Sequence, residues 1–185
     1  MNLRLAALLR DVAADPAAAA QLADGLLNRL RYSNAERKAV SHLLRMRDLP
    51  LATPPDDSEP SPAELRRWLR AVGSDVYRDV CALERAALQA LDGAPDADRA
   101  AQSARRAGLE RLSQRASAEL ERKPPLALGD LAIDGKSLMA ELQLKPGPHV
   151  GKLLAALLEQ VLEQPEQNTR ERLLELARAT KGSEG

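Results

Sequence analysis

The chain has 185 residues with 44% hydrophobic and 29% charged positions, enough for one domain or two small helical units. Its apolar content is almost all Leu and Ala, Phe is absent and aromatics make up 2%, so strand formers are scarce and an all-α, irregular multi-helix bundle is expected. Lys and Arg number 27 against 27 acids, a zero balance that excludes a globally basic polyanion binder, and a single cysteine excludes an internal disulfide.

The N-terminal run MNLRLAALLRDV is broken by Arg4, Arg10 and Asp11 and is not read as a signal peptide. No stretch approaches the ~18 uninterrupted apolar residues of a membrane span, so a cytoplasmic protein without a membrane partner is expected. Asp15-Pro16 reads as an N-cap and first helical position, opening a helix to about residue 31. Ser33-Asn34 caps the next helix, where Ala39, Val40, Leu43 and Leu44 form the inward stripe and Lys38, His42 and Arg45 the opposite side. Residues 50–62, PLATPPDDSEPSP, are proline-rich, acidic and aperiodic, the mark of a linker.

Ser61-Pro62-Ala63-Glu64 combines a capping box with proline at the first helical position. The helix it opens turns Leu65, Trp68, Leu69 and Val72 inward and stops at Gly73. Val76, Val80, Cys81, Leu83, Ala87 and Leu91 line a second helix, closed by Gly93. A long arginine-rich helix runs from about residue 96 to 122 and ends before Pro124-Pro125. Short helices follow near 136–142 and 149–162, and Asn168-Thr169-Arg170-Glu171 reads as a capping box before a last helix. The organisation expected is thus a first helical segment (1–49), the linker, a helical body (63–123), a helical tail (124–180) with a helix-turn-helix or hairpin-like element, and a frayed end (181–185).

Charge is segregated within the neutral sum. Residues 29–47 hold six bases (29, 31, 37, 38, 45, 47) and one acid, and residues 99–123 hold seven bases and three acids. Local patches of this kind steer polyanions even when the net charge is zero. In LKPGPHVGKLL (144–154), Gly147 is a plausible N-cap and Pro148 the first helical residue, so the free amides of the first turn form an anion site. Gly151 either lets a phosphate approach the backbone or only permits tight helix packing. Catalytic constellations are missing. Gly73-Ser74 with Asp75 and Asp79 opens a helix rather than a metal-binding strand. His42 and His149 have no metal-ligand spacing, and there is no phosphate-binding loop or nucleophile set.

Three stretches in order resemble one family. These are Arg29-Leu30-Arg31-Tyr32-Ser33-Asn34-Ala35-Glu36, then Arg67-Trp68-Leu69-Arg70-Ala71-Val72-Gly73, then a run through Leu131, Ile133, Gly135, Leu138, Met139, Leu144, Pro146-Gly147-Pro148, Val150, Gly151, Leu154, Val161, Asn168, Glu171 and Leu173-Leu174. Together they are similar to the C-terminal region of bacterial CCA-adding tRNA nucleotidyltransferases and related poly(A) polymerases. Residues 5–12 resemble the opening of the HD subdomain of many members, with Arg10 in place of a metal-binding histidine and Met46-Arg47 where paired histidines stand. The resemblance implies a degenerate HD segment over 1–49, without a metal site.

It also implies a tRNA-gripping body and tail whose catalytic head, with its Mg and nucleoside triphosphates, lies outside this chain, so that the chain alone is not an enzyme and needs no cofactor of its own. tRNA or another structured RNA is then the partner, together with a head in the same or another chain. The RNA-binding candidates are Arg29, Arg31, Lys38, Arg45, Lys145, Gly147, Val150, Gly151 and Lys152, with Arg105, Arg106 and Arg115 behind them. For each, the bland alternative is a solvated charged face. The other functional reading is a helical scaffold that pairs with a separate catalytic subunit or with itself.

Overall fold

A computed structural model describes residues 1–48, 59–92 and 99–183. Among them are nine α-helices and no strand: α1 (Asn2–Leu9), α2 (Pro16–Arg29), α3 (Asn34–Arg45), α4 (Pro62–Val72), α5 (Tyr77–Ala90), α6 (Arg99–Glu121), α7 (Gly135–Leu142), α8 (Pro148–Glu163) and α9 (Arg170–Ser183). The all-α expectation holds, as do most helix boundaries. The 50–62 linker falls largely outside the described residues, and so does Gly93.

The helix starts follow side-chain chemistry. Asp15 accepts from the Ala18 amide at 2.7 Å, with Pro16 in the first turn. Ser33 and Glu36 cap each other reciprocally, as do Ser61 and Glu64. Gly73, at φ 97°, turns the chain out of α4 in the left-handed region that glycine tolerates best. The last start differs from expectation. Thr169 caps the Arg172 amide, while Asn168 clasps the segment before α7, accepting from the Ala132 amide and donating to the Asp130 carbonyl, both at 2.9 Å. The other end of this clasp lies 36 residues upstream, out of reach of a local capping pattern.

The chain forms two compact units. The first comprises 1–60 and 71–118, the second 61–70 and 119–185. In the first, α2 packs along α3, and α1 packs on α3 and α5. Ala19, Ala20, Ala23 and Leu27 of α2 are buried, as are Val40, Leu43 and Leu44 of α3 and Tyr77, Val80, Cys81, Leu83 and Leu88 of α5. Small alanines let α2 and α3 approach closely. Leu91, expected inward, is instead 47% exposed because α5 ends just before it. Burial pushes the Cys81 thiol up to about 11, so it is an inert packing residue.

The second unit has its own core of Leu131, Ile133, Leu138, Leu142, Val150, Leu157, Leu158, Val161, Leu162, Leu173 and Ala177. Arg66 on α4 is buried there, donating to Glu119 at 2.6 Å and to the Leu162 carbonyl at the end of α8. A guanidinium at a helix C-terminus satisfies carbonyls that the helix leaves unpaired.

Candidate nucleic-acid interface

The arginines of the chain divide into two classes. Most of α6 is engaged within the first unit: Arg105 with Glu84, Arg106 with Asp92 and the Leu88 carbonyl, Arg111 and Arg115 with Glu59. In the second unit, Arg67 reaches Glu159 and Glu163, and Arg70 reaches Glu159 at 2.6 Å. Arg105, Arg106 and Arg115 therefore have intramolecular work that the sequence, with their acids far away, does not reveal. The arginines of the 67–73 motif likewise join α4 to α8.

The second class is open. The side chains of Arg29, Arg31, Lys38, Arg45, Lys145 and Lys152 are exposed and make no hydrogen bond or ion pair among the described residues, as is also true of Arg4, Arg99, Lys123 and Arg178. Of the six candidates, four stand in the first unit. Lys38 and Arg45 lie two turns apart on one side of α3, about 10.5 Å along the axis. They line an open groove of about 860 Å³ with Ser41 and His42, opposite Asp15, Gln21 and Asp24 of α2. Both acids are occupied: Asp15 caps α2, and Asp24 takes two bonds from Arg37. The hydrogen bond from Arg37 holds the Asp24 carboxyl below its ordinary value, with further help from the charge of Arg45. His42 is half-buried rather than on the free surface, its Nε2 2.6 Å from the Val72 carbonyl. The groove's unengaged charge is therefore positive.

Arg31 follows the end of α2 at φ 61°, a left-handed position that closes the helix through the Arg31 and Tyr32 amides. Its side chain thereby leaves the helix row on which Arg29 lies.

The other five candidates stand in the second unit, on the α7–α8 turn. Gly147 is the N-cap of α8 and Pro148 its first residue, and no side chain caps this end. A methyl at Gly147 would meet the His149 ring at 3.0 Å, whereas one at Gly151 would meet nothing within 4 Å. Tight helix packing is thus not why residue 151 is glycine; its backbone faces open space. Val150 points its side chain into the core, and its amide donates to the Gly147 carbonyl at 3.1 Å, so its N–H is engaged within the turn. Lys145 and Lys152 flank the turn, exposed.

The metal-site positions of the HD resemblance hold arginines that build structure. Arg10 donates to buried Glu84 at 2.6 and 3.1 Å and to Asp11 at 2.7 Å. Burial lowers the Arg10 pKa, but the two carboxylates outweigh it and raise the net value. Arg47 is buried and donates to the carbonyls of Arg10, Ala13 and Ala14, tying down the turn after α1. No group of three or more His, Cys, Asp or Glu could hold a metal among the described residues. Arginine side chains carry no free acceptor, so Arg10 and Arg47 do not fit a metal ion.

A family model for tRNA nucleotidyltransferase domain 2 matches residues 6–177. The chain belongs to this family. No curated protein and no solved structure matches it. The match takes in both units of the fold and every candidate residue.

Proposed function

We propose that this chain is the tRNA-holding body and tail of a tRNA nucleotidyltransferase, gripping structured RNA while a catalytic head outside this chain extends the RNA 3′ end. The observation that carries the reading is the contrast among the cations: those on α3, after α2 and on the α7–α8 turn have exposed side chains without an ion-pair partner, while Arg66, Arg67, Arg70, Arg105, Arg106, Arg111 and Arg115 are tied to acids. On this reading Lys38 and Arg45 take phosphates along one strand, Arg29 and Arg31 extend that track, and Lys145, Lys152 and the Gly151 backbone take a second. Contacts of this kind go to phosphates and position the RNA without reading its bases. Aromatic side chains for stacking are almost absent, so duplex shape rather than single strand is the target. Nucleotide chemistry, with its Mg and triphosphates, belongs to the head.

The test is a fluorescence-anisotropy titration of tRNA lacking its CCA end, repeated at several salt concentrations beside an unstructured RNA of equal length. Binding that falls steeply with salt and prefers folded tRNA is the expected result. Absence of binding at low salt, or equal binding of the control, would overturn the reading. A second reading, a helical interaction scaffold, is favoured by one observation: a leucine face on the first unit, Leu22, Leu26 and Leu30, that nothing among the described residues covers.

A further inference from the structure

On α3, Arg37, Ser41 and Arg45 follow at intervals of four and form a single row along the helix. The row meets α2. Ser41 donates to the Ala20 carbonyl at 3.3 Å, and Arg37 donates to Asp24 from Nε at 3.0 Å and from Nη2 at 2.7 Å. These two bonds take both oxygens of the carboxylate, the bidentate fork that arginine makes and lysine cannot. Nη1 donates to the side-chain oxygens of Asn28 at 2.7 Å and Asn34 at 3.2 Å. Every nitrogen of Arg37 thus has a partner within the chain, and its side chain is only 20% exposed.

Asp24 is the acid on which the groove turns. It lines the cleft with Lys38 and Arg45, and its side chain is 42% exposed. The other acid there, Asp15, is anchored to the first turn of its own helix by the Ala18 amide. Asp24 has no such anchor, and among the described residues only Arg37 bonds to it. Arg45 stands near enough for its charge to act on the same carboxylate. Without Arg37, Arg45 becomes the cation to which that carboxylate turns.

We propose that Arg37 is a positioning residue of the phosphate groove: it clamps Asp24 in a bidentate pair and so keeps Lys38 and Arg45 free of an internal partner. This role rests on the reading of the groove as an RNA track, and it accounts for an acid lying among the cations of that track. Arg37 itself touches no phosphate. Its contribution is to decide where the carboxylate points.

The test is a double-mutant cycle on the full chain, Arg37→Met, Asp24→Asn and both together, titrated with linear inorganic polyphosphate at low salt. Binding is read from the backbone amide NMR shifts of Lys38 and Arg45, so that phosphates held elsewhere do not enter. Polyphosphate has no tRNA fold, and the cycle therefore gives its answer whether or not the chain prefers folded tRNA. Arg37→Met is expected to weaken binding at these amides roughly two- to fivefold, the scale of one surface ion pair. Asp24→Asn alone leaves Arg37 an acceptor and changes the affinity little, whereas in the Arg37→Met protein it restores the parent value. That restoration also separates the effect from a disturbed fold. Arg37→Lys, a point charge without the fork, falls between the parent and Arg37→Met. Were Arg37 merely one more charge near the groove, the two single effects would add. Were it a phosphate contact, Asp24→Asn would not restore binding. Additive effects, a failure of restoration, or polyphosphate that leaves these amides unmoved in the parent would each overturn the proposal.

Discussion

Arg31 occupies the left-handed region at φ 61°, where a side chain costs roughly 1–2 kcal/mol that glycine avoids. Gln143 closes α7 in the same way at φ 50°. The two positions separate strain from function. Arg31→Gly is expected to raise stability to urea by about 1 kcal/mol and to weaken tRNA binding, whereas Gln143→Gly raises stability with binding unchanged. Equal binding by both variants would remove Arg31 from the RNA track. The caps make a different prediction. Bonds from Ser33 and Ser61 hold Glu36 and Glu64 below their ordinary value near 4.5. Their stabilisation is therefore complete above that pH and is lost as the pH falls through the lower folded values. Melting temperatures at neutral pH and below pH 4 test this: the Ser33→Ala, Ser61→Ala pair starts lower and loses less on acidification.

At the scale of elements, α1, α5 and α6 meet at the Glu84 carboxylate, 1% exposed between Arg10 and Arg105. Arg10→Met leaves the buried carboxylate with Arg105 alone and is expected to destabilise the protein in chemical denaturation, whereas Arg10→Met with Arg105→Met leaves an uncompensated buried charge, a loss of about 3–5 kcal/mol. Adding Glu84→Met to this pair recovers most of that loss, and additive losses would contradict the account. The helices themselves were legible because their signals are local: Asp15-Pro16, the Ser33 cap, the Ser61–Glu64 capping box, Gly73 and Gly147-Pro148 each act within a turn. Glu84 was not, since an acid in a helical pattern reads as surface until Arg10 arrives from 74 residues away. Asn168 misled for the same reason, its clasp on Asp130 and Ala132 being invisible to a local capping pattern. The open glycine at 151 could be flagged in sequence but not decided, because the choice between packing and open approach depends on what lies across from it.

For the whole molecule, equal numbers of acids and bases conceal an unequal distribution of work. Acids at 59, 84, 92, 159 and 163 are matched to Arg10 and to arginines of α4 and α6, whereas the cations on α3, after α2 and on the α7–α8 turn keep exposed side chains without an ion-pair partner among the described residues. A net charge near zero then coexists with a salt-sensitive grip on RNA, because counterion release depends on the charges that face the phosphates. The most direct test runs the tRNA titration on two charge-reversed proteins, Lys38→Glu with Arg45→Glu and, for comparison, Arg85→Glu with Arg111→Glu. The account predicts that the first pair weakens binding and flattens its salt slope by about 2, near 0.9 for each lost phosphate contact, while the second, whose cations already face Glu110 and Glu59, leaves the slope unchanged. Equal slopes for both proteins and the parent would contradict it.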